Sequence, residues 1–286
     1  MACLRMQSCF FFILTLCFWA SNCVEFNDIF EPSWATDHVM YEGELLKLKL
    51  DNVSGAGFAS KATYLFGKTG AQIKLVPGDS AGTVTAFYIS SEGTLHDEFD
   101  FEFLGNASGE PYIVQTNIYS NGTGNREQRI YLWFDPTADF HTYSFLWNHN
   151  QVVFFVDSVP IRVFPNNERL GVPYPKKQPM KVSSSIWNAD NWATQGGRLK
   201  INWSHSPFIS TYKSFDIDAN ESGVNAESGG VNENGSKWWD MPSYSKLSPL
   251  QRRMLRWVHR NYIIYDYCND STRFPTSPPE CAGLRF

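Results

Sequence analysis

Cysteine is scarce in most of the sequence. Four of its six cysteines lie within the first 23 residues: Cys3, Cys9, Cys17 and Cys23. The other two, Cys268 and Cys281, have no further cysteine and no suitably spaced histidine beside them, which argues against a zinc site. In an oxidising compartment these two can pair, and the disulfide would close a short loop near the C-terminus.

The sequence also lacks a basic run. The chain of 286 residues carries a net charge of −5. Proteins that bind nucleic acid or an anionic membrane surface commonly show blocks of lysine and arginine, so neither partner is predicted.

Long hydrophobic runs are missing apart from one near the start. Residues 9–20 are almost entirely apolar and follow Arg5. The run is too short to cross a bilayer comfortably and is followed by small or polar residues, which is typical of a cleaved secretory signal. We therefore predict a signal peptide over residues 1–23, with cleavage between residues 20 and 24, and a secreted protein.

Helical periodicity is nearly absent between residues 24 and 215. Short alternating or apolar segments are separated there by Gly, Asn, Asp and Pro, as in residues 46–50, 82–90 and 112–119. This spacing predicts an antiparallel β-sandwich. Residues 214–237 are polar and predict an exposed loop or linker. A helix is predicted after Ser248, with Leu250, Met254, Trp257 and Val258 on its buried face.

The most informative stretch is residues 96–103, with the sequence HDEFDFEF. Acidic and aromatic residues alternate there with period two, which predicts a β-strand with unlike faces. One face carries Glu98, Asp100 and Glu102, and the other carries three phenylalanines. Carboxylates on alternate residues repel one another and raise one another's pKa, so the fold gains nothing from them.

Two interpretations of this strand remain open from its spacing. Paired carboxyl groups of unequal pKa on one rigid element supply the nucleophile and the acid/base of a glycosidase. An acidic edge strand or a calcium site would show the same pattern. The aromatic content of 16%, with ten tryptophans, fits a carbohydrate cleft, although most aromatic side chains are expected to fill the core.

Several segments resemble plant xyloglucan endotransglucosylase/hydrolases. The resemblance covers nearly the whole chain after the leader. It differs from the usual form at Phe99, where the family has Ile, and at Asn220, where the family has one cysteine of a second pair. The matching segments are HDEFDFEFLGN (96–106), GTVTA (82–86), QTN (115–117), GNREQ (124–128), LWFDPT (132–137) and IWNADNWATQGG (186–197).

The resemblance implies a fold and a domain organisation. It implies an all-β, concanavalin-like jelly-roll sandwich whose catalytic domain covers residues 24–215. Residues 216–286 would form a short extension that contains a helix and lengthens the cleft on the acceptor side. The family commonly carries a glycan soon after the acidic strand, which singles out Asn106. The remaining Asn-X-Ser/Thr sequons are Asn52, Asn121, Asn202, Asn220, Asn234 and Asn269.

The resemblance also implies roles for individual residues. Glu98 would be the nucleophile, Glu102 the proton donor and general base, and Asp100 a residue that assists the nucleophile. No cofactor and no metal ion is implied. The matched substrate-binding residues are Tyr88, Gln115, Thr116, Asn117, Asn125, Arg126, Glu127, Trp187, Trp192, Gly196, Gly197 and Arg273.

The implied activity is retaining endo-transglucosylation, in which a xyloglucan backbone is cleaved and joined to another xyloglucan chain in the cell wall or apoplast. A xyloglucan endo-hydrolase or related β-glucanase would use the same site. A non-catalytic, lectin-like sugar-binding protein is the alternative from another class, but it has no use for three carboxylates. Donor and acceptor xyloglucan are the expected partners, and the protein is expected to be a monomer.

Overall fold

Two antiparallel β-sheets form the molecule. The computed structural model describes residues 26–222 and 237–282. The predicted signal peptide and the Asn234 sequon lie outside these ranges. In spatial order, the eight-stranded sheet consists of β1 (Phe30–Trp34), β4 (Ala56–Ser60), β13 (Lys181–Asn188), β6 (Thr83–Ser90), β7 (Glu98–Leu104), β8 (Ile113–Tyr119), β9 (Gln128–Tyr131) and β15 (Ile263–Asp266).

The second sheet has seven strands. In spatial order, these are β12 (Val159–Pro165), β11 (Gln151–Val156), β10 (His141–Trp147), β5 (Tyr64–Lys74), β14 (Phe208–Glu221), β3 (Leu45–Leu50) and β2 (Val39–Glu42). The only α-helices in the described residues are α1 (Phe26–Ile29) and α2 (Pro249–Asn261). Several short 3-10 helices lie in the connections between other elements. The prediction of an all-β sandwich with a helix near its C-terminus is confirmed.

The acidic strand β7 lies near the middle of its sheet, and its phenylalanines face the second sheet. Phe101 packs against Phe145 and Phe154, with ring centroids 4.9 and 5.3 Å apart, and Phe103 packs edge-on against Tyr143 at 4.6 Å. All of these rings are buried. Full burial of a phenylalanine contributes about 1.5–3 kcal/mol, so this face holds the strand firmly in register.

Strand β14 extends further than the sequence predicted, so two predicted boundaries are wrong. The sequence predicted an exposed loop from residue 214 onward and a domain boundary at residue 215, but β14 continues to Glu221 and pairs with β5. Ala219 is buried and Ile217 packs against the core, so this segment keeps an apolar face despite its polar composition. The predicted boundary therefore cuts a strand.

Helix α2 begins as predicted but buries a different face. Ser248 and Gln251 form the capping box, and Pro249 occupies the first turn. Leu255 and Val258 are buried, whereas Leu250 is 52% exposed and Trp257 is 42% exposed. Placing Leu250 and Trp257 on the buried face was wrong, because the helix packs against β12 through the face that carries Leu255 and Val258.

None of the helices in the described ranges is long and apolar enough to span a bilayer.

The C-terminal extension is joined to the sandwich by a strand pair, a disulfide loop and a buried ion pair. Strand β15 pairs with β9 at the edge of the eight-stranded sheet. Cys268 and Cys281 form the predicted disulfide. Next to it, the Glu280 carboxylate accepts a hydrogen bond from Arg126 Nε at 2.7 Å, and both side chains are buried.

This ion pair generates a stability prediction. Glu280→Met leaves the Arg126 guanidinium buried without its carboxylate, which typically costs about 3–5 kcal/mol. The free energy of unfolding, measured in urea, should fall by that amount. Lys176→Met breaks the half-exposed Lys176–Glu168 pair and serves as the control, with an expected loss below about 1 kcal/mol. Equal losses in the two variants would show that the Arg126–Glu280 pair does not hold the extension.

Candidate active site

Strand β7 carries its three carboxylates on the face of the sheet that points away from the second sheet, called here the cleft face. Directly opposite residues of antiparallel strands share a face. Asp100 lies opposite Tyr88 on β6 and Asn117 on β8. Glu102 lies opposite Gln115, and the period-two alternation predicted from the sequence is realised along the whole strand.

Two cavities meet over the three carboxylates. The extension-side cavity has a volume of about 490 Å³ and reaches across β8 and β9 to the C-terminal extension. The sheet-side cavity has a volume of about 340 Å³ and reaches across β6 and β13 to β1. Glu98, Asp100 and Glu102 line both cavities, so together these form one trough that crosses the strands.

Asp100 is the most deeply buried of the three. Its Oδ1 accepts a hydrogen bond from the backbone N–H of Asn117 at 2.9 Å. Burial, and then the negative charges of Glu102 and Glu98, raise the pKa of Asp100 well above its usual range, against the opposing effect of Arg162. Asp100 therefore tends to hold a proton between its two neighbours.

The pKa of Glu98 is raised less strongly than that of Asp100. Burial raises the pKa of Glu98, whereas hydrogen bonds from Ser90 and Asp100 and the charge of His96 act to lower it. A protonated Asp100 that donates to Glu98 stabilises the ionised form of Glu98. Glu98 is thus suited to act as an anionic nucleophile.

Glu102 is suited to act as an acid near neutral pH. Burial raises the pKa of Glu102 to about 7, with the hydrogen bond from Gln115 as the largest opposing influence. Gln115 Nε2 donates to Glu102 Oε2, and Arg129 Nε donates to Gln115 Oε1 at 2.6 Å. A carboxylic acid and a carboxylate on one strand, facing one trough, can perform acid-assisted nucleophilic displacement at an acetal carbon.

Arg273 reaches the trough from the extension. Its guanidinium donates to Glu127 Oε2 at 2.6 Å and to Asn125 Oδ1 at 2.7 Å. Arg273 is 146 positions from Glu127 in the sequence, and the structure brings it into contact with Asn125 and Glu127, which were predicted with it as substrate-binding residues. Glu127 and Arg273 both line the extension-side cavity, together with Gln115, Asn117 and Trp192.

The two predicted tryptophans line different cavities. Trp192 lines the extension-side cavity, whereas Trp187 lines the sheet-side cavity beside Tyr88 and Trp34. Trp187 lies within β13, opposite Val84 on β6, so its position follows from the strand register. Trp192 follows β13 in a turn, and packs beside the small cluster of Val84, Leu104, Ala189 and Ala193.

Two predicted substrate-binding residues do not face the trough and are corrected. Thr116 lies on the core face of β8, where its hydroxyl and carbonyl oxygens accept hydrogen bonds from Arg162. Arg126 is buried, and its guanidinium is taken up by Glu280 and by the carbonyls of Ile118 and Thr123.

The remaining matched residues stay predictions. Gly196 and Gly197 have φ angles of 69° and 82°, and neither lines one of the two cavities. A Cβ on Gly197 would lie 2.5 Å from the Asn191 carbonyl oxygen, so close packing accounts for this glycine. Asn106 is half-buried, and its Nδ2 donates to the Pro111 carbonyl at 3.1 Å. In the described part of the chain, no group of three or more His, Cys, Asp or Glu side chains is arranged to hold a metal ion.

Several lining residues were not predicted from the sequence. Arg129 could have been found from the alternation of β9, because it lies opposite Gln115. Trp34, Tyr119, Tyr265, Asp270 and Ser185 also line the trough. Trp34 lies on an edge strand remote in sequence, and Tyr265 belongs to the extension, so only the tertiary fold brings them to the carboxylates.

The chain matches two protein families over adjacent segments. Residues 26–205 match the family described as "Glycosyl hydrolases family 16", and residues 233–281 match the one described as "Xyloglucan endo-transglycosylase (XET) C-terminus". The chain is 61% identical over 270 residues to "Xyloglucan endotransglucosylase protein 6" of Diospyros kaki, covering 92% of this chain and 90% of that protein. It is 58% identical to "Xyloglucan endotransglucosylase/hydrolase protein 9" of Arabidopsis thaliana, covering 96% and 94%.

Solved structures share the fold. A Bacillus licheniformis β-glucanase superimposes with a TM-score of 0.53 at 24% identity, covering 65% of this chain and 89% of that one. The Crh5 transglycosylase in complex with NAG gives a TM-score of 0.54 at 24% identity, covering 66% and 77%. At this identity the likeness shows the fold alone.

Removal of the Gln115 amide should raise the pKa of Glu102 above 7. In Gln115→Leu the ionised form of Glu102 loses a charge-assisted hydrogen bond, and Arg129 loses its anchor, so both changes favour the protonated form. A ¹³C NMR titration of the glutamate carboxyl groups measures this pKa. Thr116→Val, on the opposite face of the same strand, should leave it unchanged. A lowered or constant pKa in Gln115→Leu would contradict the assignment.

Asp100→Asn should stabilise the fold at pH 8 more than at pH 4. The pKa of Asp100 is raised in the folded protein, so above the ordinary pKa of an aspartate the unfolded chain releases this proton while the folded protein keeps it. The free energy of unfolding therefore falls as pH rises toward the folded-state pKa. Asparagine removes this penalty and keeps an acceptor oxygen for Asn117. Thermal unfolding should show a Tm increase of about 2–4 °C per kcal/mol relieved. The exposed Asp139→Asn change is the control, and a lower Tm at pH 8 in Asp100→Asn would refute the argument.

Proposed function

Because the chain belongs to the plant xyloglucan endotransglucosylase/hydrolase family within glycosyl hydrolases family 16, we propose that it is a retaining xyloglucan endo-transglucosylase. It cleaves the β-1,4-glucan backbone of one xyloglucan chain and joins the new end to another. The observation that carries this proposal is the row of three carboxylates shared by the two cavities of the trough.

The first step breaks the donor chain. Glu98 attacks the anomeric carbon while Glu102 gives its proton to the leaving glucosyl oxygen, so a glycosyl–enzyme ester forms and the downstream chain departs. The pKa of about 7 at Glu102 keeps that proton available below neutral pH. Asp100, which holds a proton beside Glu98, stabilises the nucleophile before attack and the ester oxygen after it.

The second step transfers the glucan. Glu102, now ionised, removes the proton from the 4-hydroxyl of an acceptor sugar, which displaces Glu98 and restores both carboxyl groups. Water is near 55 M, so an acceptor succeeds only if it is bound and oriented, which can supply effective molarities of about 10⁵ M or more. The extension-side cavity, with Trp192, Arg129 and Arg273, is suited to provide that orientation.

The sheet-side cavity is suited to hold the donor chain. Trp34, Tyr88 and Trp187 line it and offer aromatic faces on which uncharged sugars stack. Part of Trp34 remains exposed at the edge of the sheet, so a polymer can extend beyond the trough. This open geometry supports cleavage within a chain, rather than at its end.

The lectin-like alternative is disfavoured by the cost of the carboxylates. Burial raises the pKa of all three groups, and a binding site for neutral sugars gains nothing from this. The endo-hydrolase alternative differs only in what accepts the glucan. The segment between β8 and β9 is short and closes through a bridge between Ser120 and Thr123, which leaves the acceptor side open to a second sugar chain and favours transfer.

The location and assembly state are also part of the proposal. The apolar leader and the relatives' names fit secretion to the cell wall or apoplast, with action as a monomer on donor and acceptor xyloglucan. A glycan on Asn106 fits the same route. Mass spectrometry of the protein secreted by a plant cell would give the mature N-terminus and the glycan positions.

The central experiment follows polymer size and label incorporation when the protein is incubated with xyloglucan, with and without a fluorescent xyloglucan oligosaccharide. We expect label to enter polymer and little shortening of chains without the oligosaccharide. Glu98→Ala should reduce both transfer and hydrolysis by 10³-fold or more, because the covalent route is lost. A folded Glu98→Ala protein that retains several per cent of the activity would overturn the assignment.

Trp192→Ala should lower the ratio of transfer to hydrolysis about tenfold, since stacking on one aromatic ring contributes about 1–2 kcal/mol by analogy with base–aromatic stacking. Trp187→Ala is the matched comparison. It should depress both reactions together, because Trp187 lies on the sheet side of the carboxylates. The ratio is measured at one fixed acceptor concentration. An unchanged ratio in Trp192→Ala would remove this residue from the acceptor site.

A further inference from the structure

Helix α2 carries four arginines along one side, of which Arg252, Arg253 and Arg260 are exposed and Arg256 is half-buried. Arg252, Arg256 and Arg260 follow one another at four-residue intervals, a rise of about 6 Å per step, and Arg253 lies beside them. At about 100° per residue all four fall within an arc of roughly 100°. These four residues are called here the arginine stripe.

The stripe is costly for the fold. Helix α2 contains no acidic residue, and none of the four arginines forms an ion pair with a carboxylate anywhere in residues 26–222 or 237–282. Like charges four residues apart repel on a helix, and Arg252 and Arg253 lie near its N-terminus, where the helix dipole disfavours positive charge. The stripe occurs in a chain whose net charge is −5. An external anion would offset these repulsions.

The stripe lies on the side of α2 opposite its buried residues, and none of the four arginines lines the trough. Leu255 and Val258 are the buried residues of α2, and His259 contacts the Ile161 carbonyl of β12 at 3.2 Å. Strand β12 is the edge strand of the seven-stranded sheet, whereas the trough lies on the eight-stranded sheet. A polymer bound along the stripe therefore leaves the three carboxylates free.

An exposed aromatic ring borders the stripe. Trp257 lies next to Arg253 and Arg260 on the helix surface and is 42% exposed. Its indole packs against Trp133 and Tyr262, with ring centroids 5.3 and 5.0 Å apart, so the ring is held in place. A fixed indole beside a row of guanidinium groups offers a stacking surface for a sugar ring next to binding positions for its carboxylate.

We propose that the arginine stripe and Trp257 form a docking surface for a carboxylated polysaccharide, a linear chain of uronic acids. Guanidinium forks match carboxylates in geometry and charge, and their repeat along the helix suits a polymer with regularly spaced charges. An anionic membrane fits less well, because a helix that inserts at a membrane surface presents a wide apolar face. In α2, Leu255 and Val258 are buried, and Leu250 and Trp257 are its only exposed large apolar side chains. The surface would hold the enzyme on an acidic matrix while its trough acts on a neutral glucan.

The test measures binding of the full-length secreted protein to polygalacturonate by affinity electrophoresis or co-sedimentation at low and at physiological ionic strength. Fully methyl-esterified polygalacturonate is the uncharged probe, and phosphatidylserine vesicles are the competing anionic surface. The main variant combines Arg253→Gln, Arg256→Gln and Arg260→Gln. Arg252 is kept, because its side chain donates to the Leu247 carbonyl. A variant with Lys61→Gln, Arg169→Gln and Lys177→Gln changes the net charge equally, at exposed positions off α2.

We expect the wild type to bind polygalacturonate, to ignore the esterified polymer and to lose affinity as salt rises. The stripe variant should bind about tenfold more weakly, since several modest exposed ion pairs are lost together, while the control variant should bind like wild type. Both variants should keep wild-type activity on soluble substrate. Glu98→Ala should bind normally, so this result stands apart from the catalytic proposal.

Each contrary result would overturn the docking surface. Absence of binding to polygalacturonate would exclude the docking surface. Equal weakening of binding in the stripe and control variants would show that net charge alone accounts for the affinity. Binding to the vesicles in preference to polygalacturonate would assign the stripe to a membrane surface instead.

Discussion

Burial of the phenylalanine face of β7 is the interaction on which the site depends. Phe99, Phe101 and Phe103 pack between the sheets, and this apolar contact holds the opposite face of the same strand in a fixed position. Glu98, Asp100 and Glu102 would separate if they were free, because their charges repel. The strand instead keeps them in one row, buried or half-buried, and burial is the main cause of their raised pKa values. Stability gained on one side of the strand offsets the strain of the charges on the other.

The C-terminal extension contacts this site through one buried and one exposed set of side chains. In the buried layer, Glu280 binds Arg126 next to the Cys268–Cys281 bridge. In the exposed layer, Arg273 binds Asn125 and Glu127, the residues on either side of Arg126. Residues 125–127 are therefore held by the extension in the interior through Arg126, whereas Glu127 lines the trough. These contacts join the extension to the sandwich directly beside the trough.

Local alternation accounts for most of what the sequence predicted correctly. The unlike faces of β7, the sandwich class, the start of α2 and the disulfide all depend on short-range patterns or on simple pairing. The same alternation, applied to β8, would have excluded Thr116, which stands between the trough-facing Gln115 and Asn117. Arg126 could not be interpreted in this way, because its partner Glu280 lies 154 positions away. The separation of Trp187 from Trp192 likewise depends on where the chain turns after β13.

The central position of β7 has a consequence for how this protein can change. The strand has neighbours on both sides, β6 and β8, and its side chains alternate between a dry interior and a polar trough. Insertion or deletion of one residue within it would exchange the two faces for the residues beyond that point, turning phenylalanines toward the trough and carboxylates toward the interior. Related proteins can therefore vary in their exposed loops, whereas a change of length inside β7 would disrupt the row of carboxylates.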